Sequence, residues 1–358
     1  MKKRFTATVM AGVLSAVMLA GCGGSASSSA GSASSSAGKV SASSGASSGS
    51  SASVSSGSTA ANNGNIDIKV VLKTLSSDYW QYVMRGCQQA GKDLGVQVDI
   101  VGATSETAYD EQINQIETIM NSGEGDAMVV SPLQADTVAT QIESYDKPVI
   151  AIDTEVPSDK VLSFVGFDNE DMGKLGGEAG VKAAKAAGWD KVSAIAIVGV
   201  QGDPTSEARL KGFIEGIEGQ GGDYYEDETQ YADSVADKAV NCMEGIIQTH
   251  PEGVSVIFCN NDDMAMAAAR AAQSYDAYKK TIFIGAGGTA AGLQSILNGE
   301  ETMTVTFDGY DVGYKGVQAA VDAVNGKKLE SFIASEGTVV GKDGAQDMLD
   351  LVNKRLNG

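Results

Sequence analysis

The chain has 358 residues, and its 46 Asp and Glu against 26 Lys and Arg give a formal net charge of −20. An excess of acid of this size excludes a broad basic face for a phosphate backbone, so we expect no nucleic-acid partner. The one histidine, His250, excludes serine-histidine-aspartate triads, HExxH zinc sites and multi-histidine metal centres, so we expect no metal site.

Residues 1–21 have the composition of a secretory signal peptide. Three basic residues at positions 2–4 precede a short apolar stretch, and small residues lead up to Cys22. The alternative, a transmembrane anchor, needs about 20 apolar residues, and this stretch is shorter and contains Thr and Ser. Leu19-Ala20-Gly21-Cys22 resembles the lipobox of bacterial lipoproteins. The resemblance implies an exported protein held by lipid (palmitate or another acyl chain) on Cys22 at the outer face of the cytoplasmic membrane.

Residues 22–64 follow as a segment made almost entirely of Ser, Ala and Gly, with Lys39 as its one charge. A segment of this composition cannot bury enough apolar area to offset the entropy of ordering, which predicts a disordered tether. A long tether favours a monoderm cell, where anchoring replaces a periplasm. Residues 45–49 match the G-x-S-x-G nucleophile motif, but no strand precedes them and no histidine serves them, so we interpret the match as chance.

Three further cysteines lie in the remainder of the chain. Cys87 and Cys242 fall in helical patterns, and Cys259 ends a strand pattern. We favour buried thiols over one disulfide, although an exported location would permit a single bridge.

From residue 68 onward, short apolar strands alternate with segments of helical spacing. The predicted strands cover residues 68–73, 96–101, 127–130, 148–152, 161–167, 192–198, 224–230, 254–258 and 282–284. The predicted helices cover residues 79–94, 109–121, a segment ending at 145, 172–187, 205–218, 235–249, 262–272 and 290–297. This alternation is typical of parallel sheets covered by helices on both faces, and it predicts two doubly wound, Rossmann-like α/β domains.

The loops that follow the predicted strands are polar and aromatic. They cover residues 74–80, 131–132, 153–155, 199–209, 260–263, 285–288 and 307–311. Because ligands of doubly wound folds bind at the carboxyl ends of the strands, these loops are the predicted binding surface.

Five segments carry a family resemblance. They are Thr-Leu-Ser-Ser-Asp-Tyr-Trp at 74–80, Pro-Val-Ile-Ala-Ile-Asp at 148–153, Phe-Asp-Asn at 167–169, Ala-Arg-Leu-Lys-Gly-Phe at 208–213 and Val-Ile-Phe-Cys-Asn-Asn-Asp-Asp-Met-Ala at 256–265. In this order they resemble the type I periplasmic binding proteins of ABC importers, specifically the ribose and galactose cluster. The resemblance covers about residues 66–342.

The resemblance implies two lobes joined by three hinge crossings, near residues 167–168, 306–307 and 331–335. The first lobe would comprise residues 65–167 plus 307–333, and the second 168–306 plus 334–358. The implied function is a monomeric, solute-binding component of an importer that closes on its ligand and presents it to ABC permease subunits. It implies neither an enzyme nor a cofactor.

The resemblance also implies the ligand-binding residues, which lie on both lobes. Ser77, Tyr79, Trp80 and Asp153 would contact the ligand from the first lobe, and Arg209 and Asn261 from the second. Carboxylate, guanidinium and aromatic groups together suit a sugar or polyol. Structural roles stay open: Asp153 as a turn cap, Arg209 paired with Glu207 or Asp203, and the two aromatic residues as core.

Three positions depart from the family pattern. Gly287 stands where a second carboxylate is usual, Thr154 where an arginine is frequent, and Phe307 where a hinge glutamine is usual. Asp308 follows Phe307, and two interpretations stay open: Asp308 or Asp311 supplies the missing charge, or the solute lacks a group at that point and Asp308 is a solvated loop residue. A pentose or hexose stays the first expectation, with a modified sugar, a cyclic polyol, a furanose signal or a nucleoside as alternatives.

Two other functions stay open. Residues 285–290 match the dinucleotide fingerprint G-x-G-x-x-A, and Asp308 follows at about the expected spacing of 20 residues. An NAD-dependent oxidoreductase is nevertheless a remote alternative, because the fingerprint comes late in an exported chain. The second alternative is a sensor that presents its ligand to a membrane receptor.

Overall fold

The computed structural model describes residues 66–357, so the predictions for the signal peptide, Cys22 and the tether lie outside the described residues. The strands are β1 (Asp67–Thr74), β2 (Gln97–Ala103), β3 (Ala127–Val130), β4 (Val149–Ile152), β5 (Val161–Gly166), β6 (Ser193–Val198), β7 (Asp223–Tyr224), β8 (Gln230–Tyr231), β9 (Val256–Cys259), β10 (Ile282–Gly287), β11 (Met303–Phe307), β12 (Phe332–Ala334) and β13 (Gly337–Gly341). The helices are α1 (Asp78–Leu94), α2 (Tyr109–Ser122), α3 (Ala135–Ile142), α4 (Asn169–Ala186), α5 (Pro204–Gly219), α6 (Ala236–Thr249), α7 (Asp262–Ala272), α8 (Ala290–Asn298), α9 (Gly309–Val324) and α10 (Lys342–Asn357).

Two separate sheets carry these helices. The first sheet has the strand order β12-β5-β4-β3-β1-β2, and all its pairings are parallel. The second has the order β13-β11-β10-β9-β6-β7, with β8 also on β6, and only the β11–β13 pairing is antiparallel. The predicted α/β architecture of two doubly wound sheets is confirmed.

The chain passes between the two sheets three times. It leaves the first sheet after β5, returns after β11 through α9, which packs on α1, and leaves again between β12 and β13. We call the first sheet with its helices the first lobe, and the second sheet with its helices the second lobe.

The central strands form because they are buried on both faces. In β1, Val70 and Leu72 pack into one core and Val71 into another, and all three are fully buried. The continuous apolar run is what a parallel strand covered by helices requires.

Glycine sets the closest helix contact of the second lobe, between α4 and α5. A Cβ on Gly173 would lie 2.0 Å from the carbonyl oxygen of Arg209, and one on Gly212 would lie 1.8 Å from that of Glu170. The two helix backbones therefore touch, and the contact lies at the part of α5 that carries Arg209.

One predicted strand is wrong in form. Residues 224–230 are not a continuous strand: β7 and β8 both pair with β6, and a 3₁₀ turn over Glu226–Glu228 separates them. Three consecutive acidic side chains would be crowded beside a buried parallel strand, so the chain turns outward at that point.

The three cysteines of the described region are free thiols, with Cys87 and Cys259 buried and Cys242 half-buried. Among residues 66–357, no helix is long and apolar enough to cross a membrane.

Candidate ligand-binding site

A cavity of about 550 Å³ lies between the lobes, at the carboxyl ends of the strands. Its first-lobe wall consists of Lys73, Ser77, Tyr79, Trp80, Glu106 and Asp153. Its second-lobe wall includes Asp203, Ser206, Arg209, Asn260, Asn261 and Asp263. This volume includes space open to solvent, and the charged and hydroxyl groups on both walls suit a small polar ligand.

The aromatic part of the cavity comes from the start of α1 and the end of β11. The rings of Tyr79 and Trp80 meet edge to face at 5.2 Å, and those of Tyr79 and Phe307 at 5.1 Å. The Trp80 indole N–H donates to Glu106 Oε1 at 3.0 Å. These rings form an apolar wall. The polar groups of Trp80 and Tyr79 already donate hydrogen bonds to the carboxylates of Glu106 and Asp153.

Asp153 directs a buried carboxylate into the cavity. Its backbone is left-handed, with φ of 63°, a conformation that is uncommon for residues other than glycine and that clusters at functional sites. Its Oδ1 accepts a hydrogen bond from the Tyr79 hydroxyl at 2.8 Å. Burial, together with the neighbouring Asp153 carboxylate, raises the pKa of Tyr79 well above its ordinary value, so this hydroxyl is a donor at neutral pH.

Arg209 faces Asp153 from the second lobe and is held by three contacts. Its Nε donates to Asn169 Oδ1 at 2.8 Å, and its Nη1 donates to the Asn260 carbonyl at 2.9 Å. Its guanidinium carbon lies 4.8 Å from the centre of the Phe307 ring. Within the described residues it forms no ion pair with Glu207 or Asp203, so that structural alternative is wrong.

Two hydrogen bonds join the lobes across the cavity. Lys73 Nζ lies 2.6 Å from Asp203 Oδ2, with side chains only 4% and 6% exposed, and the hydroxyls of Thr154 and Thr205 are 2.7 Å apart. Burial alone would lower the pKa of Lys73, but nearby carboxylates, Asp203 foremost, outweigh burial and raise it. Burial alone would raise the pKa of Asp203, but Lys73 lowers it. Both groups are therefore charged, and the lobes are in contact.

Two adjacent acids at the start of α7 differ in their environment. Asp262 accepts from the Thr289 backbone N–H at 2.7 Å, the Thr289 hydroxyl at 2.9 Å and the Thr304 hydroxyl at 2.6 Å. Asp263 accepts no hydrogen bond from any described residue. Burial, with the nearby carboxylates of Asp262, Asp78 and Glu106, raises the pKa of Asp263 to about 6.

The structure brings most of the predicted ligand-binding residues to this cavity. Its wall includes Ser77, Tyr79, Trp80, Asp153, Arg209, Asn261 and Phe307. Asn261, however, uses both ends of its amide within the protein: Oδ1 caps α7 by accepting from Met264 N at 2.8 Å, and Nδ2 donates to the Ser234 carbonyl at 3.4 Å.

Three predicted residues lie elsewhere. Thr154 lies beside the cavity and bonds to Thr205, whereas Gly287 and Asp308 line a second cavity of about 670 Å³ next to α10. Asp308 caps α9 and pairs with Arg355, and Asp311 pairs with Lys315 at 2.6 Å. The expectation that Asp308 or Asp311 replaces the missing carboxylate is therefore corrected, because arginine and lysine side chains already hold both.

The sequence reasoning missed several wall residues. Lys73 is the last but one residue of β1, Glu106 follows β2, and Asp203 precedes α5. Asp263 stands within the segment 256–265 that carries the resemblance. The available signal was Lys73, a charged residue that directly follows the apolar run at residues 70–72.

The family assignment rests on comparison with known proteins. A model described as a periplasmic binding protein domain matches residues 68–328. The chain belongs to the periplasmic binding protein family.

Similar proteins cover most of this periplasmic binding protein. The ribose import binding protein RbsB of Bacillus subtilis is 27% identical over 278 residues, 75% of this chain and 85% of the relative. The D-allose-binding periplasmic protein of Escherichia coli is 27% identical over 271 residues, 73% and 85% of the two chains. A carbohydrate transporter solute-binding protein of Agrobacterium radiobacter, solved in complex with D-arabinose, aligns with a TM-score of 0.72 and 27% identity over 82% of this chain and 99% of its own.

These findings confirm the resemblance to type I periplasmic binding proteins of ABC transporters, and they place the protein outside the cytoplasm. Members of this family bind solutes and are not enzymes, so the oxidoreductase alternative is wrong. Gly285 and Gly287 of the fingerprint instead lie at the end of β10, where Gly287 and the following Gly288 adopt φ of 133° and 72°.

Proposed function

We propose that this protein is the lipid-anchored, solute-binding component of an ABC importer and that it binds a monosaccharide or related polyol between its lobes. The observation that carries the proposal is the pairing of Asp153 and Arg209 on opposite walls of one aromatic-lined cavity. The relatives named above bind ribose, D-allose and D-arabinose.

The chemistry of the two charged groups suits a polyol. Asp153 has one oxygen engaged by Tyr79, and the other is only weakly engaged by Thr154 at 3.2 Å, so it accepts from a ligand hydroxyl. Arg209 uses two of its five N–H groups within the protein, and the remaining ones donate to hydroxyl or ring oxygens. The ring of Trp80 or Phe307 covers the C–H face of the sugar.

Hinge closure connects binding to delivery. The ligand joins Asp153 of the first lobe to Arg209 of the second, so it stabilises the closed form over the open one. The closed form presents a different outer surface to the permease. We assign the lobes to residues 65–167 plus 307–333 and 168–306 plus 334–358. This division is supported by the sheet membership of β12 and β13.

The signal peptide and the lipobox-like residues 19–22 support membrane anchoring of the protein. Lipid on Cys22 and the tether to residue 64 would hold a monomeric body at the outer face of the cytoplasmic membrane, next to the permease. A monoderm cell surface is the setting that this arrangement fits.

Calorimetry on the purified protein tests the binding function. The panel contains D-ribose, D-allose, D-arabinose, D-galactose, myo-inositol and nucleosides, and we expect a sugar or polyol to bind with a dissociation constant near 1 μM, about −8 kcal/mol. Asp153→Ala and Arg209→Ala should each weaken binding by about 2–4 kcal/mol, because each leaves a polar partner unsatisfied in a desolvated site. Glu244→Gln, an exposed change on α6, is the control. Nucleoside binding alone, or normal binding by both alanine variants, would refute the proposed site.

Uptake separates transport from sensing. Deletion of the gene should abolish uptake of the labelled ligand by cells. Unchanged uptake with loss of a ligand-induced response would identify the sensor alternative instead.

A further inference from the structure

The cations of the cavity are already matched by acids. Among the described residues that line it, the only basic side chains are Lys73 and Arg209. Lys73 is paired with Asp203, and the wall also carries Glu106, Asp153, Asp262 and Asp263, so acids outnumber bases five to two. Any further carboxylate on the wall therefore adds uncompensated negative charge.

Two carboxylates are left over, one on each lobe. Glu106 of the first lobe receives only the indole N–H of Trp80, and Asp263 of the second lobe receives no hydrogen bond from the described residues. Asp262 also lines the cavity, but its three internal donors satisfy it. Closure thus brings Glu106 and Asp263 to the same cavity, and neither forms an ion pair with a described residue. Lys73 is the cation near Glu106, but it is already paired with Asp203.

The buried side chain of Asn260 independently indicates that the site lacks a hydrogen-bond donor. The Asn260 side chain lines the cavity and is 4% exposed, yet within the described chain its Oδ1 accepts no hydrogen bond. A buried amide oxygen without a donor is costly, so the site calls for a ligand that donates there.

A metal ion is not the occupant that this arrangement favours. Residues 66–357 contain no group of three or more histidine, cysteine or acidic side chains placed to hold one. The compensating charge therefore has to come from the organic ligand. An ammonium group has three donors and no acceptor, which suits a wall with spare carboxylates and a spare amide oxygen.

We propose that the solute of this site is a sugar or polyol that carries a protonated amino group, bound between Glu106 and Asp263. This inference rests on the proposed function and narrows its ligand class. The amine joins the lobes a second time, because Glu106 belongs to the first lobe and Asp263 to the second. A neutral sugar would leave two facing acids uncompensated on closure.

Matched ligand pairs test the inference by calorimetry at pH 7.5. The panel compares neutral hexoses with their 2-amino, 3-amino and 6-amino deoxy derivatives, and with the N-acetyl forms that keep the shape but lose the charge. We expect an amino sugar to bind at least tenfold more tightly than both its neutral parent and its N-acetyl form. Glu106→Gln and Asp263→Asn should each reduce that preference several-fold, and Glu244→Gln should leave it unchanged.

The pH dependence provides a second readout. Asp263 faces Asp262 on its own helix, Asp78 on α1 and Glu106 after β2, and protonation of this group removes one partner of the amine. The amino-sugar preference should therefore decrease between pH 7.5 and pH 5.

The outcomes separate the inference from the proposed function. A neutral sugar that binds as tightly as its amino derivative overturns the inference and leaves the sugar-binding function intact. A folded protein that binds no member of either class overturns both.

Discussion

The buried ion pair between Lys73 and Asp203 offers a direct test of how the lobes close. Lys73 is the last but one residue of β1 in the first lobe, and Asp203 caps α5 in the second. The ion pair therefore exists only in the closed form. We consider Lys73→Met, which leaves Asp203 buried without its cation.

The magnitude follows from the geometry. At 2.6 Å and an effective dielectric constant of about 20, the Coulomb attraction is about 6 kcal/mol, and the desolvation of both ions offsets most of it. Removing one partner is different, because a single buried charge without compensation costs about 3–5 kcal/mol. In the open form water solvates Asp203, so the cost falls on closure and not on the folding of each lobe.

Ligand calorimetry and small-angle scattering measure the consequence. Lys73→Met should weaken binding at least about 100-fold, equivalent to about 3 kcal/mol, and should increase the radius of gyration of the unliganded protein. Its thermal midpoint should change little. The double variant Lys73→Met with Asp203→Asn should recover most of the affinity, since Asn keeps the cap on Ser206 N and removes the stranded charge.

Two results would refute this reasoning. Binding by Lys73→Met within threefold of the parent would show that the pair does not contribute to closure. A double variant as weak as the single one would show that Lys73 acts by direct contact with the solute.

Three further predictions address the anchor, the hinge and the pH response. Cys22→Ser should release the protein into the medium with its thermal midpoint unchanged, and retention in membranes would contradict lipid anchoring. Asp308→Asn should leave ligand affinity within threefold of the parent by calorimetry. It should lower the free energy of unfolding by up to about 1 kcal/mol, because Arg355 loses a half-exposed ion pair. A large loss of affinity would show that Asp308 contacts the ligand. Burial alone would lower the pKa of His250, but its hydrogen bonds to Glu228 and Glu252 outweigh burial and raise this pKa. The stabilising contribution of His250 is therefore complete below the unfolded pKa of about 6.5 and is lost as the pH rises through the folded pKa. Denaturant titration should therefore show a larger stability difference between the parent and His250→Gln at pH 6 than at pH 9, and a constant difference would contradict this.

The fold could be predicted largely from periodicity, because buried parallel strands leave continuous apolar runs. Where this signal weakened, the prediction failed. Residues 224–230 contain β-forming tyrosines around an acidic run, and the acidic run decides the local structure. Helix α9 was not predicted, although Val312, Val317 and Val321 are buried on it.

The failure to predict α9 also explains the main error at the ligand-binding site, which concerned Asp308. Had α9 been recognised, Asp308 directly before it would have been expected to cap the helix and not to bind a ligand. Lys73, Glu106 and Asp203 were missed for a different reason. Lys73 lies in β1, Glu106 follows β2, and Asp203 precedes α5 of the other lobe. Asp203 meets Lys73 only when the lobes close, and no sequence spacing encodes that contact.

The three passages of the chain between the sheets have a consequence for the order in which the molecule is built. The first lobe lacks its covering helix α9 and its edge strand β12 until more than 330 residues have been made, and the second lobe lacks β13 until a few residues later. Neither sheet is complete until these late segments of the chain have been made. Helix α10, which packs on α8, comes later still, so the second lobe is completed after the first.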